Sequence, residues 1–229
     1  MTLYTGTSHT YASTVHVYQP ATGSDATFAF VSWAPHPFGL GPPYFGVRLA
    51  WFAGPSAHLG ALIDFTHYKM YAETAEWVRA RGLWRGARLD TYAPLGTFVQ
   101  NLEVSHGVNL TSVAAEYRWN PGFDDGPWQT HVGAGLDAYL PYAQGTIDEV
   151  AVNGNYQYAG WGGQVFGGAQ YTLPRRWTPQ WMRLGLLIES KLDHGDLHLD
   201  LDPATRVQTR VTTLHLIAGV SWHFGNVPR

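Results

Sequence analysis

The sequence contains no cysteine, which excludes disulfides, cysteine-ligated zinc and thiol nucleophiles. Charged residues make up only 14% of its 229 residues, well below the roughly 25% of a soluble domain. The formal net charge of -3 argues against a nucleic-acid binder. No apolar run approaches the roughly 20 residues of a transmembrane helix, so any membrane span must consist of strands.

The central stretch alternates bulky apolar residues with small or polar ones, which is the period of a β-strand. In 43–52 the apolar set includes Phe45, Leu49 and Trp51, and 58–69 repeats the pattern after a Gly- and Pro-containing turn at 53–57. The polar face of this hairpin has much Gly and little charge. This favours an apolar face that contacts lipid.

Eight segments of the chain have strand patterns, and their connections alternate between short and long. Short periplasmic turns and long extracellular loops are typical of outer-membrane barrels. We therefore predict an all-β fold: one domain, 1–229, forming an eight-stranded antiparallel transmembrane β-barrel. The predicted strands are 2–16, 43–52, 58–70, 105–119, 128–140, 160–172, 181–193 and 209–224. The short turns are 53–57, 120–127 and 173–180, and the long loops are 17–42, 71–104, 141–159 and 194–208.

A soluble sandwich or lipocalin-like barrel is the alternative, but its outer face should carry more Lys and Glu. Segment 26–33 fits either a ninth strand or a hairpin extension above the membrane, and an even strand count favours the extension. We expect a bacterial outer-membrane location. Because strand-like sequence begins directly after Met1, we expect that an export signal was removed and that Met1 comes from recombinant expression.

Alternation turns two groups of ionisable residues toward the barrel interior. The lower group has mixed signs and suits a plug of ion pairs. The upper group suits either a salt-bridged interior around Lys191 or a metal or acid-base site with hard oxygen and imidazole ligands. The lower group is Arg48, Glu116, Arg118, His131, Arg183 and His223. The upper group is Asp64, Asp137, Glu189, Lys191, Asp193 and His215.

Two of the predicted loops also contain candidate binding residues. His and Asp alternate in 194–202, where they suit either a divalent cation or a solvated strand extension, which we prefer. The loop 71–104 carries four arginines interleaved with Trp77, Leu83 and Trp84. These arginines either bind lipopolysaccharide phosphates or pair with Glu73, Glu76 and Asp90.

Several stretches resemble the bacterial lipid A oxidase family of outer-membrane β-barrels. The specific ones are Pro42-Pro-Tyr-Phe-Gly-Val-Arg48 and Asp64-Phe-Thr-His-Tyr-Lys69. Ala114-Ala-Glu-Tyr-Arg-Trp119, Val132-Gly-Ala-Gly135 and Gly219-Val-Ser-Trp-His-Phe224 follow in the same order. Of these, the Gly-rich stretch and the terminal stretch are generic barrel sequence. The resemblance implies oxidation of the proximal glucosamine of lipid A to 2-aminogluconate by dioxygen.

An oxidase needs a redox-active helper, because dioxygen reacts slowly with closed-shell sugars. No glycine loop opening a helix is present to hold a nucleotide cofactor, so we expect a manganese, iron or copper ion. The predicted metal ligands are Asp137, Glu189 and His215. Asp64 and His67 are the predicted catalytic residues, with His67 as general base. The predicted substrate-binding residues are Tyr44, Lys69, Arg79, Arg81, Arg85 and Arg88.

The expected partners are lipid A or lipopolysaccharide and the surrounding outer-membrane lipid, with the protein acting as a monomer. Two alternatives stay open. The first is a non-enzymatic structural or adhesive barrel whose interior charges only fill the lumen. The second is a lipid A deacylase, for which Ser190 and His194 are the nearest available nucleophile and base.

Overall fold

A computed structural model of the chain describes residues 1–35, 44–54, 56–120, 126–174 and 182–224. These residues form β-strands and two single-turn 3-10 helices, Pro20–Thr22 and Leu95–Thr97. No helix in these ranges is long and apolar enough to cross a membrane. The strands are β1 (Thr2–Thr10), β2 (Ser13–Gln19), β3 (Ser24–Val31), β4 (Trp33–Pro35), β5 (Phe45–Phe52), β6 (Leu59–His67), β7 (Met70–Ala72), β8 (Trp77–Trp84), β9 (Ala87–Pro94), β10 (Val99–Val104), β11 (Leu110–Arg118), β12 (Trp128–Tyr139), β13 (Gln144–Ile147), β14 (Val150–Asn153), β15 (Gly160–Thr172), β16 (Met182–Asp202) and β17 (Thr205–Phe224).

The prediction of an all-β fold is confirmed, and its strands pair in a closed ring. The order of antiparallel neighbours is β1, β5, β6, β11, β12, β15, β16 and β17, after which β17 pairs again with β1. Six of these strands lie within the predicted segments, whereas β16 and β17 extend above theirs, to Asp202 and from Thr205. The predicted strand 2–16 is divided, because its last residues belong to β2. Closure leaves the ring without an open edge, so its backbone groups are paired between strands.

Directly paired residues on neighbouring strands are staggered, so that a row of partners followed round the ring does not return to its starting residue. We call the end with Thr2 and Phe224 lower and the end with Asp202 upper. A row of direct partners that leaves β17 at Ser221 through β1 returns to β17 at Val211, about ten residues higher, as tilted barrel strands require. The row passes through Thr2, Arg48, Asp64, Ser112, Asp137, Gly162 and Gly195. Each step from β17 toward β1 therefore leads upward.

The exterior polarity inverts along the 21 residues of β16. Below His194 the exposed residues are apolar except for Ser190, as at Leu186 and Ile188, while the buried ones include the charged Glu189 and Lys191. Above His194 the exposed residues are polar and the buried ones are leucines. The polar residues there are Asp196, His198 and Asp200, and the leucines are Leu197, Leu199 and Leu201. A single strand thus suits two different surroundings.

The neighbouring strand β17 inverts at the same level. Its outward residues are Leu214 and Leu216 below, and Gln208 and Arg210 above. Thr212 lies where the outward residues of β17 change from apolar to polar, and it is the direct partner of His194. The exterior of the ring therefore changes from apolar to polar at one height.

An exposed apolar belt continues round the lower ring. From Met182 to Leu192 it is about 25 Å tall at 3.3 Å per residue and a tilt near 40°, which matches the apolar band of outer-membrane barrels. Exposed aromatic rings lie at its two borders, where such rings favour a membrane interface. The belt includes Leu49, Ile63, Val113, Leu136 and Val165, the lower rings are Trp51, Trp119, Trp128 and Phe224, and the upper rings are Phe45 and Trp161.

Above the ring the chain builds a second core, which is apolar. Strand β2 pairs with the upper part of β17 and is followed sideways by β3, β8 and β9, four strands that we call the wing. A separate sheet has the order β14, β13, β10, β7 and β4. Both sheets contribute to one buried apolar cluster, which includes Val17, Phe28, Val78, Leu102 and Ile147. We call the wing, the second sheet and the upper ends of β16 and β17 the cap.

The cap corrects the prediction of long loops. The ranges 17–42, 71–104, 141–159 and 194–208 contain much of β2 to β4, β7 to β10, β13, β14 and the upper β16–β17 hairpin. These segments form strands because alternate residues, such as Val78 and Ala80, fill the apolar core. Segment 26–33 lies mainly in β3, outside the ring, as the extension hypothesis predicts. The preferred extension of 194–202 is likewise confirmed, since β16 continues to Asp202.

Some predicted positions lie outside the described residues. They are residues 36–42 of the first long loop, Pro42 and Pro43 of the first motif, Pro55 of the first turn, residue 181 at the start of a strand, and residues 121–125 and 175–180 of the other two turns.

Candidate functional site

The ring interior holds a buried group of charged side chains centred on Arg48 of β5. Its guanidinium group donates hydrogen bonds of 2.6 and 2.8 Å to Glu189 of β16 and one of 3.1 Å to Asp64 of β6. His131 of β12 contacts the same Glu189 carboxylate at 2.8 Å. Four strands meet here because each turns every second side chain inward. The opposite charges thereby compensate one another away from water.

A lysine extends this group upward. The ammonium of Lys191 lies 2.5 Å from the Thr66 hydroxyl and 3.3 Å from the Asp64 carboxylate. The Tyr4 hydroxyl donates to the other Asp64 oxygen at 2.8 Å. Lys191 and Asp64 are fully buried, so Asp64 is held by two cations and a hydroxyl in a place that water does not reach.

A third carboxylate, Asp193, pairs with an imidazole near the top of the ring. His215 Nε2 lies 2.5 Å from one Asp193 oxygen, and the Tyr139 hydroxyl donates to the other at 2.7 Å. The rings of Tyr44 and Tyr68 lie 5.4 and 4.9 Å from the His215 ring. We define the lumen network as Arg48, Asp64, His131, Glu189, Lys191, Asp193 and His215.

Side chains close the lumen network from both ends. At the lower end Arg118 donates to the Ala57 and Gly54 carbonyls and covers the Phe52 ring at 3.6 Å. At the upper end, buried Tyr139 and Leu110 belong to the apolar core that continues into the cap. Every member of the network is buried. In this conformation a glycolipid headgroup cannot reach it.

The predicted catalytic pair is separated by the strand that carries it. Asp64 points into the ring, whereas His67 follows three residues later and lies on the other face of β6. His67 Nδ1 contacts Asn109 Oδ1 at 2.8 Å, and its ring stacks on Phe45 at 4.8 Å. The structure therefore gives the two residues different surroundings.

The three predicted metal ligands are not assembled as a set. Both Glu189 oxygens accept from Arg48, and His215 Nε2 is engaged by Asp193. Asp137 is fully buried opposite Ser112 and has no cationic partner at salt-bridge distance in the described ranges. Across those ranges, no three His, Asp or Glu side chains are grouped so that they could hold a metal. As the described residues are arranged, Asp137, Glu189 and His215 do not form one set of ligands.

The predicted substrate-binding residues are scattered over the molecule. Tyr44 is buried near His215, and Lys69 is half-buried just after β6. The four arginines lie on the wing along the β8–β9 hairpin, where Arg79 and Arg81 pair with Asp90. Arg85 pairs with Asp148 at 2.6 Å. The arginines therefore do not converge on one phosphate.

Charges on the wing shift the pKa values of their partners. Desolvation alone would raise the pKa of the Asp90 carboxyl, but the guanidinium groups of Arg79 and Arg81 outweigh it and hold that pKa below its usual value. The hydrogen bond and charge of Asp148 raise the pKa of Arg85. Both shifts favour the charged forms of Asp90 and Arg85.

The proposed deacylase pair is also apart. Ser190 and His194 share the exposed face of β16, but four residues of extended strand separate them by about 13 Å. His194 Nδ1 instead contacts the Thr212 hydroxyl at 2.7 Å. A nucleophile and its base must lie within hydrogen-bond reach of each other. Ser190 and His194 do not.

No family model and no curated protein matches the chain. Among solved structures it is similar to Neisserial surface protein A, with 14% identity, 97% of each chain covered and a TM-score of 0.41. It is similar to the outer membrane protein OprG from Pseudomonas aeruginosa, with 11% identity, 96% of this chain and 97% of the other covered, and a TM-score of 0.42. A third is Ail, the attachment invasion locus protein of Yersinia pestis, with 11% identity, coverages of 93% and 98%, and a TM-score of 0.32.

The predicted site residues omit four members of the lumen network: Arg48, His131, Lys191 and Asp193. All four are inward-facing by alternation, and that signal is visible in the sequence. Their partners come from distant strands, since Arg48 and Glu189 are 141 residues apart. Sequence spacing contains no information about which inward residues share a height.

Proposed function

We propose that this chain is a non-enzymatic outer-membrane β-barrel with a structural or adhesive role. The ring spans the membrane, the lumen network fills it, and the cap projects from the cell. The observation that carries the proposal is the polarity inversion along β16 and β17. Apolar residues outside and charges inside suit lipid, and the reverse order above suits water.

The ring has the dimensions and chemistry of a membrane span. Its exposed belt is about as tall as the apolar band of known barrels, and aromatic rings border it on both sides. The short connections lie at the lower end and the cap at the upper end. This is the arrangement of barrels whose longer connections face outward.

The lumen network supports a filling role over a catalytic one. A catalytic group needs access to substrate, and every member of this network is buried and paired. Small barrels fill their interiors with side chains, and buried charges need partners. We infer that the cap carries the contacts that this protein makes outside the cell.

The proposal is tested by labelling single cysteines, which the absence of native cysteine makes simple. His198→Cys and Ile188→Cys lie on the same exposed face of β16, ten residues apart. On intact cells, a membrane-impermeant maleimide should modify His198→Cys and leave Ile188→Cys unmodified. Modification of both to the same extent would rule out a lipid boundary between them.

Lipid A oxidation is the second candidate, and one feature favours it. The two specific stretches of the resemblance pair directly, with Arg48 opposite Asp64 and Phe45 opposite His67. The two stretches therefore lie side by side in a single hairpin, although the two pairs face opposite sides of it. The test is mass spectrometry of lipid A from a Gram-negative host with and without the protein, in air and without air. Gain of one oxygen atom only in air supports the oxidase, loss of an acyl chain supports the deacylase, and unchanged lipid A opposes both.

A further inference from the structure

The outer face of the wing carries cationic and aromatic side chains in one row. We propose that this face binds anionic polysaccharide chains that approach the cap from outside the cell. The inference rests on the proposed function, since it requires the cap to be exposed to the medium. It names the chemical class of the ligand: linear saccharides with sulfate or carboxylate groups.

The arginines of the β8–β9 hairpin share a face. Arg79 and Arg81 project outward on β8, opposite the inward Val78 and Ala80 of the same strand. Arg88 projects outward on β9 and is the direct partner of Leu83. Arginine forms directed, paired hydrogen bonds with sulfate and carboxylate groups. The face therefore offers three cationic groups spread along the hairpin.

The acidic residues of the hairpin do not balance this charge. Asp90 is the only acid between Trp77 and Pro94, and it serves Arg79 and Arg81 together. Arg88 is exposed and makes no ion pair with any residue in the described ranges. The face keeps an excess of positive charge, although the whole chain is negative. Such basic patches are typical of polyanion binding.

The rest of the same sheet face is balanced. Arg210 pairs with Asp196 at 2.8 Å, Arg206 with Asp200 at 3.4 Å, and His16 with Asp25 at 2.7 Å. These pairs lie on β16, β17, β2 and β3, beside the wing hairpin. The charge excess is thus local to β8 and β9.

Two exposed rings extend the basic row downward. Trp77 and Tyr92 are 53% and 58% exposed, and their centroids lie 5.3 Å apart. Tyr92 is the direct partner of Arg79. Flat aromatic faces pack against the apolar C–H faces of sugar rings, and an adjacent arginine binds the sulfate or carboxylate group of the sugar. Exposed rings next to arginines therefore suit a charged saccharide better than a small anion.

The height of the wing above the apolar belt distinguishes two possible ligands: a polysaccharide from outside the cell, and the lipid A of the membrane itself. Arg81 belongs to a row of direct partners that passes Thr27 and His16 to Gln208 of β17. Gln208 is about six residues above Leu214 at the top of the apolar belt, or about 15 Å at a strand tilt near 40°. Each step outward from β17 adds further height. Lipid A phosphates at the membrane border are therefore out of reach of Arg81.

The test uses heparin as the anionic polysaccharide and dextran as the neutral one, with the folded full-length protein in detergent or nanodiscs. We expect heparin to bind, dextran not to bind, and Arg81→Gln/Arg88→Gln to lose at least tenfold in affinity. Arg206→Gln/Arg210→Gln is the matched control on the same sheet face, and it should keep wild-type affinity. Trp77→Ala/Tyr92→Ala should weaken binding without changing its salt dependence, because no charge is removed.

Three results would overturn the proposal. They are absence of heparin binding by the wild type, equal losses in the two arginine variants, and tighter retention of DNA or lipid A vesicles than of heparin. A separate measurement identifies failure of the proposed function instead. If an impermeant maleimide does not modify Arg88→Cys on intact cells, the cap is not outside the cell.

Discussion

Replacement of Arg48 by methionine should destabilise the barrel strongly. Arg48 makes three hydrogen bonds to two carboxylates, and all three side chains are buried. Without it, Glu189 retains only His131, and Asp64 retains Lys191 and Tyr4. Removing one partner of a buried ion pair costs about 3–5 kcal/mol, because the other charge is left uncompensated. We expect Arg48→Met to lose stability in this range.

The loss of stability should be smaller when the Glu189 carboxylate, which Arg48→Met leaves without its cation, is also removed. In Arg48→Met/Glu189→Gln the unpaired carboxylate is gone, while Asp64 keeps Lys191 as its cation. The double variant should therefore be less destabilised than the sum of the two single changes, with a coupling energy of about 2 kcal/mol. Such coupling marks the pair as structural.

The measurement is urea unfolding of the refolded barrel in lipid vesicles, followed by tryptophan fluorescence. Arg206→Met is the matched control, since Arg206 pairs with Asp200 on the exposed face of β17. An exposed pair contributes less than about 1 kcal/mol. If Arg48→Met costs no more than Arg206→Met, the assignment of the lumen network as a stabilising core is wrong.

Three further predictions concern the belt, the cap and one strained residue. Ile188→Arg should cost about 2–4 kcal/mol in the same unfolding assay, while His198→Arg on the same face of β16 should cost almost nothing, because only the first lies in lipid. Phe28→Ala removes a fully buried ring from the cap core and should cost about 3–5 kcal/mol; protease cleavage of the cap should increase while the ring stays folded and resistant. Phe30 is 75% exposed at φ 66°, so Phe30→Gly should raise stability by about 1 kcal/mol in urea, whereas Tyr92→Gly in regular strand should lower it.

Alternation was sufficient to predict the ring. Strands of the barrel have one lipid-facing side and one lumen-facing side, so a period of two is strong in 43–52, 58–70 and 209–224. The cap was harder to predict because its strands are short and belong to two sheets. β4 and β7 have three residues each, and two or three residues cannot establish a period. Their identity as strands depends on partners elsewhere in the chain.

The charged interior was only partly predictable. The sequence shows which residues turn inward, and the preferred ion-pair plug agrees with Arg48 and Lys191 on Asp64. Heights counted from the turns put Arg48 in the lower group and Glu189 in the upper one, yet the two are bonded. The stagger of barrel strands explains this, because direct partners climb round the ring. Counting along single strands therefore separates residues that the tilt brings together.

The exchange of residue types along β16 also explains how the ring passes into the cap without a break in the strand. Below His194 the strand needs charge inside, because the lumen is small and its polar groups must compensate one another. Above it the same alternation continues, but the leucines now face inward to the cap core. No change of register is needed at the border, since only the residue types on each face exchange. A continuous hairpin can therefore join an apolar cap to a polar-filled barrel, and the pairing of β2 with the upper part of β17 places the wing above the apolar belt.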